Sequence, residues 1–303
     1  MRIYLIGLPG VGKSTVAIAL GKRLGYAIVD LDSYIEEKNS ISIPAIFAKY
    51  GEDYFRKLEH EALKDMLHMD NVIVSTGGGV IKDIDNKKLM DGLRIFLDAP
   101  IYVIKNRLKE SKIDRPLLHT KPLEELYEER KDKYSYFKDI TITNDDLSST
   151  VKKIVSVVAS RMKVLVINGP NLNMLGKRDK NQYGEKTLEE INDDLKKYSP
   201  FSIDFYQSNH EGDIVTKIQE SLGVYDGIII NPGAYTHTSI AIRDALDIIK
   251  VPKIEVHLSN IYEREDFRKI NYIKDVCTYS VVGMKEKGYF IAIDYLKKHY
   301  NVI

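Results

Sequence analysis

The sequence predicts an α/β chain of two three-layer αβα domains, each built on a parallel sheet. Three observations carry this. A length of 303 residues is long for one core and comfortable for two. Short apolar runs of strand length alternate with amphipathic stretches of helix length along the chain. A Met-led opening also occurs twice: Met1-Arg2 before the run Ile3–Ile6, and Met162-Lys163 before Val164–Ile167, each followed by a Gly/Pro turn. The stretch around Met162 therefore reads as a seam between one domain over residues 1–160 and another over 162–303. No Gly/Ser- or Pro-rich spacer separates them.

Composition narrows the function classes. Net charge is +1, and residues 1–161 carry 26 Lys+Arg against 24 Asp+Glu, so neither half has the excess of cations that nucleic-acid binding by bulk charge needs. The single cysteine, Cys277, has no internal partner and fits a reducing cytoplasm. The apolar runs are strand-sized, which predicts no signal peptide, no membrane span and a cytoplasmic protein.

In the first half, Arg2–Ile6 is a continuous strand-length run. It feeds Gly7-Leu8-Pro9-Gly10-Val11-Gly12-Lys13-Ser14, which fits G-x-x-x-x-G-K-[ST] ahead of an amphipathic helix from Thr15 to Leu24. Such a loop turns backbone N–H groups around phosphates; Lys13 reaches the terminal phosphates and the Ser14 hydroxyl can ligate Mg²⁺. The strand 27–31 delivers Asp30 and Asp32, two apart and on one face, suited to Mg²⁺ and to an acceptor hydroxyl. The bland alternative has Asp32 cap the helix 33–38. Helices over 44–50 and 52–67 flank Gly51, and the second carries Arg56 and Glu59 one turn apart. The planar fork of Arg56 suits a carboxylate, although a surface ion pair is the commoner outcome. The strand 72–76 ends in Gly77-Gly78-Gly79, where a ligand can approach the backbone closely. A strand over 94–98 follows. The polar segment 109–122 has the composition of a lid carrying Arg115. A helix over 123–136 carries Arg130, and a strand over 140–143 and a helix over 147–160 end the half.

The set GLPGVGKST, Asp30-x-Asp32, Phe55-Arg56, Gly77–Gly79, DRPLL and a later helix arginine resembles shikimate kinase over residues 1–160. The resemblance implies a P-loop kinase fold and MgATP-dependent phosphorylation of the shikimate 3-hydroxyl. It implies that Gly10, Val11, Gly12, Lys13, Ser14 and Thr15 hold the nucleotide, with Arg115 as lid cation and Arg107 at the adenine. Ser14 and Asp30 would serve Mg²⁺. Asp32, Arg56, Gly78, Gly79 and Arg130 would hold shikimate, with Asp32 also orienting or deprotonating its hydroxyl.

In the second half, the strand 163–168 enters a long loop that runs to Tyr183-Gly184, and loops of this length are usually functional. Arg178 and Tyr183 stand out there, because a tyrosine needs a neighbouring cation to act as a base near neutrality. Thr187 caps a helix to Tyr198, with Glu190 completing a capping box. Strands over 202–207, 227–231, 252–258 and 276–282 alternate with helices over 212–222, after Ser239 and over 288–299. Glu255 and His257 share a face, and Arg264 and Arg268 stand at i,i+4, suited to one anionic site. Alone, His237 or His257 reads as an ordinary polar histidine; together with Glu255 at strand ends they read as a site.

The runs GPNLNMLG, Lys177-Arg178 to Tyr183, NPGAYTHTS, IEVHLSN and ERxxFR resemble type II 3-dehydroquinate dehydratase over about 162–300. The resemblance implies a flavodoxin-like fold, a homo-dodecamer, and dehydration through an enolate without metal or Schiff base. Tyr183 would remove the C2 proton, tuned by Arg178. Asn171 would hold the water that stabilises the enolate, and His257 would assist loss of the hydroxyl. Asn231, His237, Leu258, Ser259 and Arg268 would bind substrate, supported by Glu255 and Arg264, and Asp244 would reach a neighbouring subunit's site.

The two reactions are not consecutive, and no G-x-G-x-x-G fingerprint for the intervening reductase occurs in the chain. Two other classes stay open on the sequence alone. The first half could be a P-loop kinase for another small carboxylated hydroxy metabolite, and the second a non-catalytic oligomerising domain.

Overall fold

The structure, a computed structural model, describes residues 1–110 and 121–302. The expected lid cation Arg115 lies outside the described residues. The chain divides into two compact units, Met1–Val155 and Ser156–Ile303, and the division falls within the helix Leu147–Arg161.

The first unit is built on β1 (Arg2–Ile6), β2 (Ala27–Asp30), β3 (Val72–Ser75), β4 (Leu93–Asp98) and β5 (Ile140–Thr143), in the order β2-β3-β1-β4-β5. Every pairing is parallel. β3 is buried at each residue and β1 at all but Arg2, as continuous Val/Ile runs covered on both faces must be. Helices Lys13–Leu24, Leu31–Asn39, Ile43–Met66, Ile101–Glu110 and Leu123–Phe137 fill the crossovers. Gly51 breaks the long one, with φ 80° and ψ 175°, where the sequence placed a gap between two helices.

One expectation is corrected here. β2 stops at Asp30, and the next helix begins at Leu31, two residues early. The Asp30 carboxylate accepts the Ser33 N–H at 3.3 Å, satisfying one of the unpaired donors of the first turn. Asp30 is therefore the cap, and Asp32 stands inside the helix instead of beside Asp30 on the strand.

The second unit pairs β6 (Lys163–Asn168), β7 (Ser202–Gln207), β8 (Gly227–Asn231), β9 (Lys253–His257) and β10 (Tyr279–Val282) in the order β10-β9-β8-β6-β7, all parallel. Counted from its own first strand this is 2-1-3-4-5, the flavodoxin-like order. Alternate residues of the central strands feed two cores. Val164, Val166, Ile229, Ile254 and Val256 meet Ile293 and Leu296 on one face, and Leu165, Ile167, Ile228 and Ile230 meet Ile218, Ile242 and Leu246 on the other. Each such side chain contributes roughly 1.5–3 kcal/mol on burial. The helices are Leu188–Tyr198, Glu211–Glu220, Ile240–Ile248 and Lys287–His299.

The segment after β6 is not all loop: it holds a 3₁₀ turn at Leu172–Met174 and a single helical turn at Lys180–Tyr183. Arg264 and Arg268 do not share a helix. Arg264 follows a 3₁₀ turn at Ile261–Glu263, and Arg268 ends another at Asp266–Arg268. No described helix is long and apolar enough to cross a membrane.

The predicted capping box at Thr187 is present, with Thr187 and Glu190 satisfying each other's backbone N–H groups. Thr187→Ala is expected to lower the stability of the second unit by about 1 kcal/mol. Urea unfolding followed by circular dichroism checks this; an unshifted midpoint would remove the cap from the account.

Candidate functional site

Ligands of open α/β sheets sit beyond the strand carboxyl ends, and both sheets carry their predicted residues there. After β1, Gly10 and Gly12 take left-handed φ values of +82° and +102°. A Cβ at Gly12 would lie 2.7 Å from Asn144 Nδ2, so the turn admits only glycine. The Val11 carbonyl accepts from Asn144 Nδ2 at 2.7 Å and from Arg107 Nη1 at 3.0 Å. Arg107 Nη2 also donates to the Asn144 carbonyl at 2.9 Å. Arg107, expected at the adenine, thus braces the phosphate loop.

Lys13 Nζ donates to the Gly7 and Leu8 carbonyls at 2.9 and 3.0 Å. The Ser14 hydroxyl donates to Asp30 at 2.8 Å and lies 3.1 Å from the Ser75 hydroxyl. Thr15 is the next residue of the same helix and is exposed. A hydroxyl and a carboxylate side by side at a phosphate loop fit Mg²⁺, which takes one or two protein oxygens and the rest from phosphate and water.

The acceptor end forms around Gly77–Gly79. Arg56 Nη1 donates to Glu59 at 2.7 Å, while Nε and Nη2 donate to Glu52 at 3.2 and 2.9 Å. A Cβ at Gly79 would fall 2.5 Å from Arg56 Nη2, and one at Gly77 would fall 2.6 Å from Asp32 Oδ1. Glycine is what lets both charged groups lie against this backbone. The buried Arg130 donates to the Gly78 carbonyl at 2.6 Å. Asp32, Arg56 and Arg130 therefore converge on one glycine run. Burial pushes the Asp32 carboxyl up, with Asp30 adding and Lys13 and Arg56 opposing. Burial pushes Glu59 up to about 7 against the pull of Arg56, and Glu59 Oε1 has no partner among the described residues. A wider, shallow apolar pocket lined by Asp98, Ile101 and Tyr127 holds none of the predicted residues.

In the second unit a cavity of about 100 Å³ gathers nearly the whole predicted set. Asn171, Arg178, Tyr183, Asn231, His237, His257, Leu258, Ser259, Arg264 and Arg268 all line it. The Arg178 guanidinium lies 3.6 Å from the centre of the Tyr183 ring, and Arg264 Nη1 donates to the Tyr183 hydroxyl at 2.9 Å. The cation on the oxygen is thus Arg264, and Arg178 covers the ring face. His257 Nε2 lies 2.9 Å from Glu255 Oε2, and Asn271 Nδ2 donates to that same oxygen at 2.9 Å. Burial pushes Glu255 up, but the hydrogen bonds from His257 and Asn271 outweigh it and hold the carboxyl below its ordinary range. An ionised Glu255 accepts the Nε2–H and fixes the imidazole tautomer.

His237 Nδ1 donates to the Ile270 carbonyl at 2.6 Å, and burial lowers its pKa. Asn171 takes a left-handed φ of +65°, with its N–H on Asn209 at 3.0 Å. Asp244 does not join the cavity; it is exposed on the helix Ile240–Ile248. Asn144, Ser75 and Asn271 escaped the sequence reading. Asn144 reaches its partner across 133 positions, and none of the three sits in a motif.

The family model for shikimate kinase matches residues 9–162, and that for dehydroquinase class II matches residues 162–297. The chain is 50% identical over 140 residues to a 3-dehydroquinate dehydratase of Thermotoga petrophila, covering 45% of this chain and 96% of that protein. It is 55% identical over 135 residues to one from Nitratiruptor sp., covering 44% and 86%. A crystal structure of shikimate kinase from Aquifex aeolicus aligns at 38% identity over 52% of this chain and 96% of that one, with a TM-score of 0.45.

Glu59 makes the stability of the first unit depend on pH. Its carboxyl keeps a proton in the fold that an unfolded chain releases above about pH 4.5. Stability therefore falls as pH rises from about 4.5 to about 7 and levels off above. Glu59→Gln is expected to flatten this, opening a gap over the wild type of up to about 3 kcal/mol between pH 5 and pH 8. Urea midpoints at the two pH values read it; parallel profiles for the two proteins would contradict the assignment.

Proposed function

The chain belongs to the shikimate kinase family over residues 9–162 and to dehydroquinase class II over residues 162–297, and from that premise we propose how each site works. The protein is a bifunctional enzyme of the shikimate pathway, a transferase in its first half and a lyase in its second. We assign the kinase to residues 1–160 and the dehydratase to residues 162–303.

In the kinase, the substrate carboxylate sits between Arg56 and Arg130, and Gly78 and Gly79 let the ring approach the backbone. The distances already given support this, since Arg56 and Arg130 each bond to or press on that glycine run. Asp32 orients the acceptor hydroxyl and takes its proton; a carboxyl pushed up by burial is a better proton acceptor near neutrality. ATP, with magnesium, supplies the phosphoryl group. Gly10, Val11, Gly12 and Thr15 would hold it by their backbone N–H groups, Lys13 by its ammonium, and Ser14 and Asp30 would hold the metal.

In the dehydratase, Tyr183 takes the proton next to the substrate ketone. Negative charge arriving on its oxygen meets the Arg264 donor already in place, with Arg178 on the ring. Asn171 holds the water that meets the enolate. His257, fixed by Glu255, assists departure of the hydroxyl. His237, Asn231, Leu258, Ser259 and Arg268 bind the substrate. The convergence of Arg178, Tyr183, His257 and Arg264 on one cavity is the observation that carries this reading. Asp244, exposed and away from its own cavity, serves a neighbouring subunit of a homo-dodecamer built on this domain. The protein works in the cytoplasm, where ATP is at hand.

Two assays on the purified chain test the pair: nucleotide consumption with shikimate, and enone absorbance from 3-dehydroquinate. Tyr183→Phe is expected to cut dehydratase turnover by about 10²- to 10⁴-fold and leave kinase turnover unchanged. Undiminished dehydratase turnover in that variant would overturn the base assignment, and light scattering from a monomer would overturn the dodecamer.

A further inference from the structure

The last residues of β6 and β8, Asn168 and Asn231, are register partners across the parallel pair. Tyr289, near the start of the helix Lys287–His299, is wholly buried, and its hydroxyl meets both amides. It lies 2.5 Å from Asn168 Oδ1 and 3.2 Å from Asn231 Nδ2. An amide presents nearly the same shape whichever way its oxygen and nitrogen point, so its polarity is settled by its partners.

Here the partners settle it in one way. The Gly233 N–H can only donate, and it lies 3.2 Å from Asn231 Oδ1. With oxygen on that side, Asn231 Nδ2 faces Tyr289 and donates to the hydroxyl. The hydroxyl, having accepted, sends its own proton to Asn168 Oδ1. The reverse order would have Asn168 donate to Tyr289 and Tyr289 donate to Asn231, which places two donors, Gly233 N–H and Asn231 Nδ2, face to face. The chain from Gly233 through Asn231 and Tyr289 to Asn168 therefore runs in a single direction, even though it leaves Asn168 Nδ2 without a partner among the described residues. Burial pushes the Tyr289 phenol well above its ordinary range, so the hydroxyl keeps its proton at any pH where the enzyme works.

We infer that Tyr289 is a positioning residue of the dehydratase: together with the Gly233 N–H it holds Asn231 so that the cavity is offered an amide N–H, and so selects a substrate oxygen that accepts a hydrogen bond at this point. Asn231 lines the cavity. One Nδ2 hydrogen is committed to Tyr289, which leaves the second for a ligand. A hydroxyl or carboxylate oxygen of the substrate satisfies that hydrogen, and a second donor does not. The inference rests on the reading of Asn231 as a substrate contact.

The test is a double-mutant cycle in the full chain, with Tyr289→Phe, Asn231→Ala and the two combined, read by enone absorbance from 3-dehydroquinate. Loss of one neutral hydrogen bond that sets a binding group should raise KM by about five- to ten-fold and leave kcat within about two-fold. The combined variant should be no worse than Asn231→Ala, because Tyr289 has nothing to act through once that amide is gone. A Tyr289→Phe protein that folds with unchanged KM, or one whose full factor persists on the Asn231→Ala background, overturns the inference. An unchanged KM in Asn231→Ala itself overturns the reading beneath it instead. If Tyr289→Phe does not fold, Asn168→Ala takes its place in the same cycle. It removes the acceptor that directs the hydroxyl, and the same KM factor is expected; an unchanged KM there is equally fatal.

Discussion

A parallel strand makes its ladder hydrogen bonds sideways, and every crossover must return the chain to the same end of the sheet before the next strand begins. All carboxyl ends then face one way, and the loops that leave them are crowded together. In each sheet the connection leaving the first strand of the unit, β1 or β6, runs opposite to the one leaving a neighbouring strand, β4 or β8. That is where a crevice opens. The phosphate loop leaves β1 there, and Asn168 and Asn231 end β6 and β8 there in register. The turn out of each strand is sharp enough to demand a left-handed residue, Gly12 in one case and Asn171 in the other. The chemistry of both halves is thus placed by pairing geometry before any side chain is considered.

Desolvation then sorts the charged groups. Glu59 and Glu255 are both fully buried, and each leaves Oε1 without a partner among the described residues. Their carboxyls nonetheless move in opposite directions. Glu255 Oε2 is met by two donors, His257 and Asn271, and no like charge is prominent beside it, so the ionised form prevails. Glu59 has Arg56 as its donor but shares the region with Asp32 and Glu52, and burial wins. In the first site Glu59 therefore stays partly protonated near neutrality. The second keeps a fixed carboxylate behind its histidine to hold one tautomer.

The order and kind of elements were legible because the apolar runs are continuous and the breaks carry glycine. Gly51 marks the kink in Ile43–Met66, and Thr187 with Glu190 marks a helix start. The motif residues of the second half were also legible, and nearly all of them line one cavity. What the sequence could not settle was decided by hydrogen bonds of the fold, one local and the others across long separations. Asp30 and Asp32 looked alike as strand-end carboxylates until Asp30 took the Ser33 N–H and ended the strand. Arg264 and Arg268, read at i,i+4 as two cations for one site, do line one cavity, but two 3₁₀ turns set Arg264 on the Tyr183 oxygen, 81 positions away. Arg107, expected at the adenine, shares the Val11 carbonyl with the Asn144 amide, 96 and 133 positions away from it.

The two activities share a pathway without sharing an intermediate. Dehydration of 3-dehydroquinate yields a conjugated ketone, and the oxygen that the kinase phosphorylates is the one that this ketone still holds as a carbonyl. A carbonyl oxygen carries no proton for a base to remove, so it is not the alcohol that a kinase phosphorylates. Two electrons and two protons must be added before the kinase site can use the molecule, and hydride transfer of this kind is the work of a nicotinamide cofactor on another site. Direct passage of product from one site of this chain to the other therefore has no chemistry to serve. What joining the two halves does supply is a fixed one-to-one ratio of a step before that reduction and a step after it.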